Sequence, residues 1–571
     1  MQPSAPLTNE QINDLPLLLG IIEQMGIREQ IDACLTPHGA WQGASVGTLV
    51  SLWLAYLLSQ RDHRLVAVRD WVSSRKETLQ ALLGVSLRET DCTDDRLANV
   101  LSMLGAASVQ EAMDDALVGQ WLRVYRLPVS TLRLDSTSVS VYHEPASPQS
   151  LLQLGHSKDH RPDLAQFKAM LASLDPLGMP VCMQMVAGNT PDDGLYLPAY
   201  HSAVQRLGTA DLLVVGDSKM GALATRAQIV AGGSRYLCPY RPGGNKPEGD
   251  AWIEHALELR GQWQVFWEGG NASAQQTQVS AYVVEWKREQ TWTSEATKET
   301  ITWEERVLLV QSQRYHAGQC QLFARRLARL EAAVQKLRAD PKRGRKRYLQ
   351  PKPVRLLLAE LIHKSGLLGL VSIEAVEQTC ADGSKRWIAG EVVVDPRAWD
   401  AQMARLGWQV YVSNTPADTY ATLQLVRVYH QQVLQERGFA RLKTRTLHLR
   451  PVYLRDETRL SGLLWLLCLA LRVLTLTEYR LRTQLEEKQE VLRGLNPASR
   501  NQGTQLPTTE RVLAVFANLT WTAWQSPEGR QCYVTELNQT QRQVLQLLDL
   551  PEDLYQRLAT NGMNSPLNLR E

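Results

Sequence analysis

The sequence predicts a multidomain protein built on an α/β core, a mixed five-stranded sheet interrupted by a β-rich insertion and preceded by a helical N-terminal domain. Three observations predict it. Residues 8 to about 115 carry apolar side chains at spacings of three and four, the period of helices packed on one face. From Thr131 to Tyr240, short runs rich in Val, Ser and Thr alternate with helical ones in the order strand, strand, strand, helix, strand, helix, strand. Between Trp252 and Trp303 the chain reads as strands, and helical character returns in full at Thr419.

Composition bounds the possibilities. At 571 residues and 44% apolar content the chain can bury several cores. Its 62 basic and 59 acidic residues leave a net charge of +3, so a nucleic-acid surface has to come from local clustering. The eight cysteines (34, 92, 182, 238, 320, 380, 468 and 532) include no CxxC pair, which argues against a zinc ribbon or a disulfide scaffold and fits a reducing cytoplasm. The longest apolar run, Leu463 to Leu471, is nine residues, too short to cross a bilayer. The opening MQPSAPLTNEQ lacks a charged region followed by an apolar one, so neither membrane nor secretion is expected.

The N-terminal part, residues 1–115, should hold helices at Leu15 to Gly26, Ser45 to Ser59, Val66 to Ser73, Leu79 to Leu83 and Asp94 to Leu104, the last continuing into a longer helix near Val109 to Tyr125. DNA-end binding and dimerisation are both open for it. Its GASVG match, Gly43 to Gly47, opens a helix without a preceding apolar strand, so it is not a nucleophile elbow.

The first part of the core, residues 116–245, opens with Thr131 to Tyr142 as a strand. Gln166 to Leu174 and Val181 to Val186 form a hairpin across Asp175-Pro176-Leu177-Gly178. Leu195 to Leu207 (helix), Asp211 to Gly216 (strand), Ala222 to Ala231 (helix) and Arg235 to Tyr240 (strand) complete the order of an RNase-H-like core. In Gly188 to Gly194, Asp192 and Asp193 read as N-cap residues. The second part of the core, residues 406–485, contains Thr419 to Lys443, which has no Pro and a single late Gly. It reads as one helix opened by Asp418, with Tyr429, Gln432, Glu436 and Lys443 on one face. A solvated amphipathic face is the bland alternative. The apolar helix Leu460 to Leu481 should pack against the sheet.

In a mixed sheet whose first and fourth strands are neighbours, Asp135 and Asp217 can approach each other, and a following helix can bring Glu436 over the same edge. Three hard oxygen ligands would then hold two Mg²⁺ ions, for which Mn²⁺ can substitute, and serve phosphodiester chemistry. Each Asp alone reads more often as a turn or cap residue, so the case rests on all three together.

The spacing Tyr429, two residues, Gln432, three residues, Glu436, six residues, Lys443 resembles the Tyr-Arg-Glu-Lys signature of the insertion-sequence-four superfamily of DDE transposases. QERGFARLK, LDSTSVS and VVGDSKMGA look like that family's Glu block and its two Asp blocks. The resemblance covers about 125 to 240 and 405 to 485, and one letter departs, since Gln432 stands where the family usually has Arg. Gln keeps a donor and loses the charge. The resemblance implies catalysis and metal binding by Asp135, Asp217 and Glu436, and DNA contacts by Tyr429, Lys443 and Gln432. The partners it implies are double-stranded DNA, as terminal inverted repeats and target, and a second copy of the chain. The setting it implies is a prokaryotic cytoplasm, at the nucleoid. An RNase-H-fold nuclease without strand transfer, or a domesticated non-catalytic DNA-binding protein, would share the outline.

GHSKDHRPDLAQ, Gly155 to Gln166, resembles a block of the same branch and offers Lys158, His160 and Arg161 to a DNA backbone, with a solvated loop as the alternative. The spacing of His156 and His160 matches no established ligand pattern. The insertion, residues 246–405, holds six Trp between Trp252 and Trp303, suited to sheet packing or to an unstacked base. An amphipathic helix follows, Cys320 to Ala339, and then a basic run with Lys342, Arg343, Arg345, Lys346 and Arg347, a solvated loop or a phosphate clamp. Residues 486–571 read as a linker, Asn496 to Pro507, and a C-terminal helical module.

Overall fold

The computed structural model describes residues 7–144, 147, 149–241, 247–267, 279–338, 348–380, 383–499, 501–527 and 529–560. The chain begins with a strand, β1 (Leu7–Gln11). Seven helices follow: α1 (Leu15–Gln24), α2 (Ile27–Cys34), α3 (Val46–Gln60), α4 (Leu65–Ser73), α5 (Lys76–Leu83), α6 (Asp94–Leu104) and α7 (Ala107–Val124). Then come β2 (Thr131–Ser140), β3 (Gln166–Leu174), β4 (Met179–Ala187), α8 (Tyr196–Leu207), β5 (Leu213–Val215), α9 (Leu223–Ala231) and β6 (Arg235–Pro239). The insertion contributes α10 (Pro247–Glu258), β7 (Gln264–Phe266), β8 (Ala281–Thr293), β9 (Thr300–Ser312), α11 (Gln313–Arg338), α12 (Pro351–Ser365), β10 (Val371–Thr379), β11 (Lys385–Val394) and α13 (Pro396–Ala404). The chain continues through β12 (Trp408–Ser413), α14 (Thr422–His430), α15 (Val433–Ala440), α16 (Glu457–Glu487), α17 (Thr509–Val515), β13 (Thr520–Ser526), β14 (Gly529–Val534), α18 (Gln539–Leu547) and α19 (Arg557–Thr560).

Two compact units result, one from Met1–Tyr236 with His430–Glu571, the other from Leu237–Tyr429. In the first, the strands run in the order β4-β3-β2-β5-β6, with β2–β3 and β3–β4 antiparallel and β2–β5 parallel. β3 is buried along its whole length and β2 at every position but Asp135. Helix α16 packs on β4 and α6, and 94% of its most apolar window is buried. It is long and apolar enough to span a membrane, which a count of contiguous apolar residues misses because Arg472 interrupts the run. Arg472 is itself fully buried, bonded to Asp114 at 2.6 Å and to the carbonyls of Pro180 and Val181. The backbones of α6 and α16 meet closely, since a Cβ on Gly105 would lie 2.0 Å from the Thr458 carbonyl oxygen. Gly105 also separates α6 from α7, which the sequence reads as one continuing helix.

Three further expectations need correction. The C-terminal stretch, read as helical, carries the β13–β14 hairpin, and β1 pairs with β13 from Leu7↔Trp524 to Gln11↔Thr520. Burial of Trp521 and Ala523 alternates along β13 as it should for a strand, but its partner lies at the other end of the chain. Thr419 to Lys443 is not a single helix opened by Asp418. α14 starts at Thr422, the chain turns at Gln431-Gln432, and Arg441–Arg445 is a π-helical turn. The insertion is more helical than expected. α10, α12 and α13 all open on proline, which signals a break in sequence yet suits the first helical position, where its missing N–H is unneeded.

In the second unit, β12-β9-β8-β7 is an antiparallel ribbon and β10–β11 a separate hairpin packed with α11 and α12 around Leu330, Leu358 and Leu367. Of the six Trp, Trp303 is buried, Trp252 meets Trp286 edge-on, Trp263 meets Trp408, and Trp267 is exposed. The eight cysteines are free, and Ser45 caps α3 by accepting from the Thr48 amide.

Candidate active site

The register of the sheet builds the site. Arg133 of β2 is paired with Val215 of β5, so Asp135 and Asp217 each lie two residues further along neighbouring parallel strands. Strand neighbours are about 4.8 Å apart, which puts the two carboxylates side by side. Asp135 also pairs with Leu171 of β3. The Leu171 carbonyl accepts from Gln435 Nε2 at 3.1 Å, and Ser173 Oγ donates to Gln435 Oε1. Glu436, the next residue, is thereby brought over the same edge, in the first turn of α15 and exposed.

The charges of the three carboxylates act on one another. Burial pushes the Asp135 carboxyl up to about 6, the Lys158 ammonium 3.7 Å away opposes this, and the negative charges of Asp217 and Glu436 raise it further. Asp135 Oδ1 accepts from the Ser136 amide at 2.8 Å. Asp217 Oδ1 accepts from the Tyr196 hydroxyl at 2.6 Å and from the Lys219 amide at 2.8 Å. Three carboxylates beside one ammonium are a hard-oxygen set whose chemistry suits a divalent cation. The donor types fit, although among the described residues no three His, Cys, Asp or Glu side chains close into a metal-holding cluster.

The remaining expected residues divide. Lys158 belongs to the site: its Nζ donates to Ser136 O at 2.6 Å and Ser136 Oγ at 2.9 Å. His160 is exposed on a left-handed turn residue (φ 57°), and Arg161 is paired with Asp163 at 2.7 Å. Asp159 Oδ1 is bonded to Lys443 at 3.2 Å and to Arg450 at 2.5 Å. Lys443 lies in the π-helical turn and is 9% exposed. Burial lowers its pKa and Asp159 opposes that. Gln432 accepts from Arg133 Nη1 at 3.4 Å. Tyr429 falls in the other unit, against Tyr411 at 4.4 Å between ring centroids. Lys342, Arg343, Arg345, Lys346 and Arg347 lie outside the described residues. Asp192 is not a helix cap but the partner of buried Lys168, at 2.6 Å.

Sequence reading missed Arg133, Lys168, Tyr196 and Arg450. Nothing local marks them, because each acts on a residue at least 20 positions away.

The result is an α/β protein with one carboxylate on β2, a second just beyond its parallel neighbour β5, and a third in the first turn of α15. The family model described as "Transposase DDE domain" matches residues 130–473, a span that includes all three carboxylates, and the chain belongs to that family. Among solved structures, it is similar to a cryo-EM structure of the piggyBac transposase synaptic complex with hairpin DNA, at 11% identity and a TM-score of 0.24. That match covers 52% of this chain and 60% of the other, less than two thirds of its length. No curated protein matches the sequence.

Proposed function

We propose that this protein is a DNA transposase of an insertion sequence, from the insertion-sequence-four superfamily, with an RNase-H-like core. It binds the terminal inverted repeats of its element as a homodimer in a prokaryotic cytoplasm, cleaves them, and transfers the 3′-hydroxyl ends to target DNA. The observation that carries this reading is the crowding of Asp135 by Asp217 and Glu436 within the region that matches the DDE domain. Asp135, Asp217 and Glu436 would hold the divalent metal, two Mg²⁺ ions or Mn²⁺ in their place, which when bound supplies Lewis-acid activation of the attacking oxygen and charge for the leaving one.

The chain's own residues do the rest. Lys158 offsets part of the negative charge at Asp135 and, with Arg161, offers cations to a phosphate backbone, beside the ring N–H of His160. Asp159 ties that loop to Lys443 and Arg450. DNA contacts by Tyr429, Gln432 and Lys443 follow from the resemblance, as does a role for the basic run at 342–347. Lys443 has to exchange its Asp159 contact to make one.

The test is cleavage of a duplex carrying the element's own end, in Mg²⁺. Wild type is expected to nick at the repeat boundary and to join the freed end to a second duplex. Glu436→Gln is expected to bind the duplex and leave it intact. Cleavage at the wild-type rate by that variant overturns the assignment. Nicking without joining favours a nuclease of the same fold.

A further inference from the structure

Asp217 sits just beyond a three-residue strand, with the exposed Lys219 two positions on. A short strand end does not by itself fix a carboxylate. What fixes it here is Tyr196, from the first turn of α8, whose ring is fully buried and whose hydroxyl donates to Asp217 Oδ1 at 2.6 Å. The ring has little freedom. A Cβ built on Gly216 would come within 3.2 Å of Tyr196 Cε1, so the phenol lies tight against the backbone of the residue before Asp217.

The turn that delivers Tyr196 is anchored as well. Lys168 of β3 is 4% exposed and donates to Asp192 Oδ1 at 2.6 Å and to Thr190 O at 2.7 Å, and the 3₁₀ turn Asp192–Leu195 leads directly into α8. Contacts therefore run from the sheet through Lys168, Asp192 and Tyr196 to Asp217. With Tyr196 O–H and Lys219 N–H both on Oδ1, Oδ2 of Asp217 has no partner among the described residues.

We infer that Tyr196 is a positioning residue, which turns Asp217 so that one oxygen is held by the protein and the other is presented to a divalent cation. The inference rests on the proposed metal-holding role of Asp217. Partners that orient a ligating carboxylate this way are commonly worth about 10- to 100-fold in metal affinity.

The test is Mn²⁺ binding to the full chain without DNA, by calorimetry or water-proton relaxation, for wild type, Tyr196→Phe and Asp217→Asn, each checked by circular dichroism and thermal melting. The phenyl variant keeps the packing and loses only the hydroxyl. It is expected to bind Mn²⁺ about 10- to 100-fold more weakly while its affinity for duplex DNA is unchanged. Asp192→Asn weakens the anchor beneath the same turn, and serves where Tyr196→Phe does not fold; a loss in the same direction is expected. Wild-type Mn²⁺ affinity in whichever variant folds, with Asp217→Asn impaired, overturns the role of Tyr196 alone. Wild-type affinity in Asp217→Asn overturns the metal site itself.

Discussion

Arg133 Nη1 donates to Gln432 Oε1 at 3.4 Å, joining β2 to the residue that opens the Glu436 helix. Arg133 and Asp135 share one face of β2, two residues or about 6.6 Å apart, while Gln432 and Glu436 are four helical residues or about 6 Å apart. The two steps nearly match. Where Gln432 meets Arg133, Glu436 is carried to Asp135.

Gln432→Arg, which restores the letter usual in the resembling family, should therefore harm this chain. Arg133 is fully buried and already donates twice to Asp175, from Nε to Oδ1 at 2.6 Å and from Nη2 to Oδ2 at 2.8 Å. A second guanidinium beside it is expected to cost about 1–3 kcal/mol, read by denaturant unfolding. Unchanged stability would mean that the Gln432 side chain does not hold the register.

Gln435→Leu should be costly for a different reason. It leaves the Ser173 hydroxyl, fully buried, without its partner, at about 1–3 kcal/mol, and takes one of two donors from the Leu171 carbonyl, which stays in the ladder opposite Asp135. Adding Ser173→Ala is expected to recover part of the loss, because the orphaned hydroxyl is then gone. No recovery would place the cost elsewhere.

How much of this was legible in the sequence depends on distance along the chain. LDSTSVS and DLLVVG read as strands because β-branched residues and alternation mark a strand locally, and both end up in neighbouring β2 and β5. Those local signals place Asp135 and Asp217 at strands, and only the family resemblance of the blocks around them singles them out. The break at Gln431-Gln432 was not legible, since Gln is a good helix former and propensity is a weak prior against tertiary anchoring. There Leu434 N and Gln435 N bond back three residues, to Gln431 O and Gln432 O, where the side chains of Gln432 and Gln435 grip β2 and β3. Tyr196 and Lys168 look like ordinary helix and strand residues until the fold brings them to Asp217 and Asp192. The β1–β13 pairing joins the two ends of the chain and has no local signal at all.

The buried Arg472–Asp114 pair ties α16 to α7 and β4. Removing one partner strands a charge, so Arg472→Ala is expected to destabilise by about 3–5 kcal/mol, whereas replacing both by apolar residues of similar size should cost much less. Equal losses in the single and double variants, measured by chemical denaturation, would contradict this.

Acid sensitivity has one clear contributor in the N-terminal helices. Desolvation raises the Asp62 carboxyl, but hydrogen bonds from Arg64 and Tyr56 outweigh it and hold the pKa at about 2, below the ordinary carboxylate value of 3.8. A depressed carboxyl stabilises the fold above its unfolded pKa and loses that contribution as pH falls through the folded value. The stability gap between wild type and Asp62→Asn should thus be full at neutral pH and shrink as pH drops below about 4 toward 2. A gap that stays constant over this window would remove Asp62 from the account.

The most direct measurement is anomalous diffraction from crystals of the full chain soaked in Mn²⁺. The expected result is density for Mn²⁺ bounded by oxygens of Asp135, Asp217 and Glu436, at about 2.0–2.2 Å from each ligand, with Tyr196 still on Asp217 Oδ1. A protein that takes up Mn²⁺ elsewhere, with Glu436 turned to solvent and Asp135 left to Lys158, would contradict the three-carboxylate site.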